Sequence, residues 1–96
     1  MEFYLDNYIA YIRSEKDLTP QTVESYLSDI RQYICFLKTK NIFNVHLTSN
    51  ATIISYMLYL ENKGGATSTI HRKLSSLRGY YNFLQMHQII DKDPMN

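Results

Sequence analysis

Apolar residues along this chain recur at alternating spacings of three and four. That is the period of a helix with one buried face, and no segment shows the two-residue alternation of a strand. Leu5, Tyr8, Ile9 and Ile12 cluster on one side of a first segment, expected to run from Glu2 to Arg13. A polar link, SEKDL, leads to Thr19-Pro20. This is a hydroxyl N-cap followed by proline at the first helical position, where its missing N–H costs nothing. From there Val23, Leu27, Ile30, Ile34 and Leu37 form one stripe on a second helix ending near Lys38 to Lys40, where cations suit the C-terminal dipole. The connection NIFNVHL precedes Thr48-Ser49-Asn50, a cluster of capping residue types, and a third helix is expected to turn Ile53, Ile54, Met57 and Leu60 inward. Gly64-Gly65 stops it, because glycine enters the left-handed cap conformation cheaply. A fourth helix starts at Thr67 or Ser68 and is expected to bury Ile70, Leu74, Leu77, Tyr81 and Leu84. The tail, DKDPMN, carries a proline that would stop any helix. Four helices with short connections define a small all-α bundle.

Composition narrows the class further. A chain of 96 residues suits one domain, and 45% apolar with 20% charged residues supports a packed core rather than disorder. No apolar run approaches the roughly 20 residues that span a bilayer, so no membrane partner is expected. The N-terminus, MEFYLDNY, has two acids and lacks the basic region of a secretory signal. Cys35 is the single cysteine, which excludes an intrachain disulfide or a cysteine-built zinc site and fits a reducing, cytoplasmic setting.

Charge changes the picture more than its total suggests. The net formal charge is +1, but residues 1–48 carry −1 and residues 49–96 carry +2. From Asn62 to Ile90 there is no Asp or Glu, while the fourth helix holds His71, Arg72, Lys73 and Arg78. With Ile70 as zero and 100° per residue, Arg72 falls near about 200°, Ser75 near 140°, Gly79 near 180° and Ser76 near 240°, with His71 and Arg78 flanking at about 100° and 80°. The expected outward face is therefore small, polar and basic. Small residues admit a close partner, arginine forks suit phosphate or guanine, and the helix start adds Thr67, Ser68 and Thr69 hydroxyls with open backbone N–H groups. The second helix offers a weaker version in Thr19, Gln21, Thr22 and Ser25, with Glu24 and Asp29 expected to lower its potential. Against this stands the plainer reading. Three cations on a helix are commonly a solvated face, Ser-Ser-Gly can seat another helix, and Lys73 near the core edge can snorkel.

Catalytic groups are not evident. The nine tyrosines include Tyr8, Tyr26, Tyr33, Tyr56, Tyr80 and Tyr81 on or beside apolar stripes, which points to core packing. A nucleophilic tyrosine would need converging basic groups. His46, His71 and His87 are scattered, with no metal-ligand spacing, and neither a Gly-rich phosphate loop nor a Ser-His-Asp set occurs.

The order TPQTVESYLSDIRQYICFL, then ATIISYMLYLENKGGATSTIHRKLSSLRGYYNFL, then IIDKDP, resembles the N-terminal core-binding domain of tyrosine recombinases of the phage-integrase and Xer type. The shared elements are Thr19, Tyr26, Asp29, Phe36-Leu37, Ser68-Thr69-Ile70, the run Arg72-Lys73-Leu74-Ser75-Ser76-Leu77-Arg78, Tyr80-Tyr81 and Pro94. Asp93 departs from the family's Asn before that proline, a change expected to matter only to linker geometry. The resemblance spans about Tyr4 to Pro94 and implies a four-helix, SAM-like bundle that clamps one side of duplex DNA, with its second and fourth helices along the major groove. Carried onto this chain, the implied DNA contacts are Thr19, Gln21, Thr22, Ser25, Ser68, Thr69, His71, Arg72, Lys73, Ser76 and Arg78. Residues 1–93 would be the DNA-binding domain, and residues 94–96 would begin a linker to a catalytic domain that holds the recombinase tyrosine, so this chain is expected to be non-catalytic by itself. No metal or nucleotide cofactor is implied, because a phosphotyrosyl link stores the bond energy. Double-stranded DNA and neighbouring recombinase subunits are the implied partners. A helical protein–protein interaction domain without DNA binding is the alternative.

Overall fold

The computed structural model describes residues 3–15 and 17–95. Glu2, where the pattern begins the first helix, Lys16 in the link and Asn96 lie outside them. Among the described residues there are four α-helices and no strand: α1 (Leu5–Arg13), α2 (Pro20–Thr39), α3 (Asn50–Asn62) and α4 (Thr67–Met86), with a single 3-10 turn at Val45–Leu47. No described helix is long and apolar enough to cross a membrane. α2 packs most extensively on α4, while α1 docks on α2 and α3 on α4.

The helix starts follow local chemistry. Thr19 caps α2, accepting from the Thr22 backbone N–H at 3.2 Å, with Pro20 in the first turn. Ser49 and Thr52 form a reciprocal capping box at the start of α3, Thr52 Oγ1 accepting from the Ser49 N–H at 3.0 Å. The three longer helices then end in the same way. Asn41, Gly64 and Gln88 each follow the helix in a left-handed conformation, at φ 60°, 80° and 60°. The next residue's N–H reaches back to close the turn: Ile42 to the Leu37 carbonyl at 2.9 Å, Gly65 to Leu60 at 3.1 Å, and Ile89 to Leu84 at 2.8 Å. This is a Schellman cap, and at α2 and α4 it places an isoleucine beside a buried leucine.

The core draws on every helix. The α2 stripe is as expected, with Val23, Leu27, Ile30, Ile34 and Leu37 all buried. On α1, Tyr8 and Ile12 are buried while Leu5 and Ile9 are half-buried. The α3 face is rotated from the expected one. Ile53, Tyr56 and Leu60 are buried, Met57 is half-buried, and Ile54 is 47% exposed. So many of α3's residues are apolar that hydrophobicity alone does not select its inner side. Aromatic rings fill the centre: Tyr33 packs edge-on against Tyr56 at 4.9 Å, and its hydroxyl shares a 2.7 Å hydrogen bond with that of Tyr81. Tyr80 donates to the Phe3 carbonyl at 2.6 Å. The ends are fastened too. His46 contacts the Ile89 carbonyl at 2.7 Å, and Asn50 donates to the Pro94 carbonyl at 3.2 Å, so the segment after α4 lies against the α2–α3 connection.

A Cβ added at Gly64 would meet nothing within 4 Å, so its substitution tests backbone strain alone. Gly64→Ala should destabilise the fold by about 1 kcal/mol, and Gln88→Gly should stabilise it by roughly 0.5–1 kcal/mol. Urea unfolding followed by circular dichroism measures both, and equal midpoints for all three proteins would contradict the cap assignment.

Candidate nucleic-acid interface

The α2–α4 seam is built on one acid. The Asp29 side chain is fully buried, yet it lies on the same face of α2 as Thr22, Ser25 and Gln32, at helical spacings of three and four. α4 answers with Thr69, Arg72, Lys73 and Ser76, again one face of a helix. Arg72 Nη2 donates to Asp29 Oδ1 at 2.8 Å, Lys73 Nζ approaches the same oxygen at 3.4 Å, and Ser76 Oγ donates to Oδ2 at 2.7 Å. Lys73 Nζ also donates to Gln32 Oε1, and Gln32 Nε2 in turn donates to Ser28 at 3.3 Å. Burying a lone carboxylate is costly, and here two cations and a hydroxyl offset that cost.

This arrangement corrects three expectations. Ser76 is buried at 2% exposure rather than outward, with its hydroxyl committed to Asp29. Lys73 does not snorkel to solvent but turns its ammonium into the seam. Asp29 does not show a repelling charge on the surface, because both its oxygens accept from α4. The buried face of α4 is correspondingly wider than one stripe. Lys73, Ser76, Tyr80 and Phe83 form a second row beside Ile70, Leu77, Tyr81 and Leu84, while Leu74 is only half-buried.

Arg72 belongs to both worlds. Its side chain keeps 52% exposure while one nitrogen is fixed to Asp29, so its other donors face outward. The remaining candidates divide between positions. Ser68, His71 and Arg78 are exposed and Thr69 is half-buried. His71 and Arg78 line a shallow cleft with Leu74 and Ser75, about 120° around the helix from Arg72 at the Arg78 position. At the α2 start, Gln21 and Ser25 are exposed, whereas the Thr19 hydroxyl is engaged as the cap and lies 2.9 Å from that of Thr22. Glu24 pairs with Arg13 of α1 at 3.2 Å on the exposed surface. Sequence reasoning missed Asp29 and Gln32 as parts of the seam. The available signal was a solitary acid in line with Tyr26, Ile30 and Tyr33, at positions that otherwise point inward.

The buried tyrosines are the opposite of activated nucleophiles. Burial pushes Tyr8 and Tyr56 up to about 12 from 10.0, helped by nearby Tyr26 and Tyr11 in the first case and by Asp29 and Tyr59 in the second. Burial likewise raises Tyr33, Tyr80 and Tyr81.

Comparison with known proteins then gives the family. The family model described as phage integrase, N-terminal SAM-like domain, matches residues 5–88. The chain belongs to that family. It is 29% identical to tyrosine recombinase XerC of Herpetosiphon aurantiacus, covering 98% of this chain and 31% of that protein. It is 28% identical to tyrosine recombinase XerD of Oceanobacillus iheyensis, over 98% of this chain and 32% of that protein. A tyrosine recombinase of Pseudothermotoga lettingae is 32% identical over 99% of this chain and 34% of its own length. The chain thus spans about a third of the length of the curated relatives it matches. No solved structure gave a significant match.

Two outcomes follow from this geometry. Ser76→Ala leaves Asp29 Oδ2 without its donor and should cost about 1–3 kcal/mol of stability in urea unfolding; an unchanged midpoint would show that the seam does not depend on it. Tyr8 and Tyr56 have raised folded-state values, so the stability they contribute is fully present below about pH 10 and is lost as pH rises from there through about 12, because the unfolded chain ionises first. Tyrosinate absorbance should therefore appear together with loss of helical circular dichroism. Titration of the whole tyrosine absorbance near pH 10 with the helices intact would contradict it.

Proposed function

We propose that this chain is the DNA-binding module of a site-specific tyrosine recombinase, clamping one side of a duplex and supporting DNA recombination or integration whose chemistry is carried elsewhere in the protein. The observation that carries this reading is the exposed side of the α2–α4 seam, where Arg72 stands half-exposed on Asp29, with Thr69 on its own face of α4 and Ser25 one turn before Asp29 on α2. Two cations around one buried carboxylate leave net positive charge there. Membership of the phage-integrase N-terminal family supports it, as do relatives named tyrosine recombinases along nearly the whole chain. In this reading Arg72 and Arg78 bind backbone phosphates. Ser68 and Thr69, at the N-terminus of a 20-residue helix, add hydroxyl and backbone donors, and Gln21 and Ser25 approach the duplex from α2. Thr19 and Thr22 shape the α2 start, and His71 flanks Arg78. Lys73 and Ser76 support the face from behind.

Contact with a neighbouring subunit has its own observation. Ile54 and Leu58, one turn apart on α3, are 47% and 52% exposed and lie on a different helix from the seam. A protein contact there is compatible with DNA on α2 and α4.

Fluorescence anisotropy of a labelled random-sequence duplex, titrated with the chain at about 50 and 200 mM salt, tests the DNA reading. Binding should weaken steeply with salt, and Arg72→Ala and Arg78→Ala should each lower affinity on the order of tenfold at the lower salt. Affinity unchanged in both variants would show that this face is not the contact. Salt-insensitive self-association without DNA binding would favour the protein-contact reading alone.

A further inference from the structure

We infer that Asp29 is a positioning residue for DNA: a buried acid that strengthens binding to a polyanion by holding Arg72 in its binding pose. The inference rests on the DNA reading of the seam and goes beyond it, since it assigns a role to a residue that cannot itself touch DNA.

An exposed arginine samples many rotamers, and ordering it on binding weakens affinity. Here one nitrogen of the Arg72 guanidinium is fixed at 2.8 Å from Asp29 Oδ1. The guanidinium is planar, so anchoring one corner restricts the direction of the opposite edge. With half of the side chain still exposed, that edge is presented to solvent already oriented. The remaining contacts make Asp29 a rigid anchor. Ser76 holds Oδ2 at 2.7 Å, and Lys73, only 11% exposed, stands between Oδ1 and the Gln32 carbonyl oxygen. No oxygen of the acid is left to face a phosphate, and Lys73 balances its charge from within the seam. Arg72 can thus bind Asp29 and a phosphate together. An arginine shared in this way acts as a bridge between the α2 framework and the nucleic acid.

The test turns on sign. Asp29→Asn removes a negative charge, so charge arithmetic alone predicts tighter DNA binding; positioning predicts weaker binding. With the labelled duplex at low salt, Asp29→Asn should bind about three- to tenfold more weakly than the wild-type chain. In an Arg72→Ala background the same change should cause no further loss, a non-additivity that general loosening of the fold would not produce. Arg72→Lys should also bind more weakly than wild type, because an ammonium lacks the planar fork whose one corner fixes the direction of the other edge, and this variant carries the test if Asp29→Asn melts below the assay temperature. Binding by Asp29→Asn as tight as wild type or tighter, with helical circular dichroism intact, would overturn the positioning role while leaving the DNA reading standing. So would wild-type affinity in Arg72→Lys. Absence of salt-sensitive binding by the wild-type chain would remove the DNA reading and this role together.

Discussion

A single carboxylate buried between two helices constrains much of this molecule. Asp29 on α2 draws Arg72, Lys73 and Ser76 of α4 to itself, and those three residues span just over one turn of the helix. Their spacing fixes both the rotation of α4 about its axis and its register along α2. An apolar contact tolerates sliding by fractions of a turn, but a two-oxygen acceptor with three donors does not. Removing the charged partner of a buried ion pair typically costs about 3–5 kcal/mol. The same fixed rotation decides which residues α4 offers to solvent, so the seam and the outer face are consequences of one another.

Around that seam the core is aromatic and polar at its tips. Tyr33 and Tyr81 share a hydrogen bond, and Tyr80 ties α4 to Phe3, so these three large rings fill the centre of a small domain with their hydroxyls paired. A 96-residue chain has limited apolar area to bury, and rings of this size bury much of it per residue. The result is a rigid support on which a few exposed donors can be held in place. That division suits a binding module: its ionisable interior groups serve packing and orientation, and its surface groups are left for contact.

Much of the fold was legible because local chemistry and periodicity agreed. Thr19-Pro20, the α2 stripe and Gly64 each carry their structural meaning in their own side chains or lack of one. What could not be read depended on partners distant in sequence. Asn41 and Gln88 occupy left-handed positions that glycine would fill more cheaply, and only the closing hydrogen bonds to Leu37 and Leu84 explain them. Ile54 faced the wrong way in a helix with too few polar residues to mark its outside. Asp29 looked like a repelling surface charge because its donors lie 43 to 47 residues away. Ser76 is expected outward, and Lys73 only at the core edge, for the same reason, since a helical wheel centred on Ile70 does not register a second buried row.

The central claim is that the α2–α4 seam, and not the apolar side of α3, meets duplex DNA. Amide chemical-shift mapping of the labelled chain during titration with a duplex tests it residue by residue. The largest changes should fall at Ser68 to Arg72, at Arg78 and from Gln21 to Ser25, with the Arg72 side-chain signal shifting while that of Lys73 stays near its starting position. Changes concentrated at Ile54, Leu58 and Tyr59, or none at saturating duplex, would contradict it.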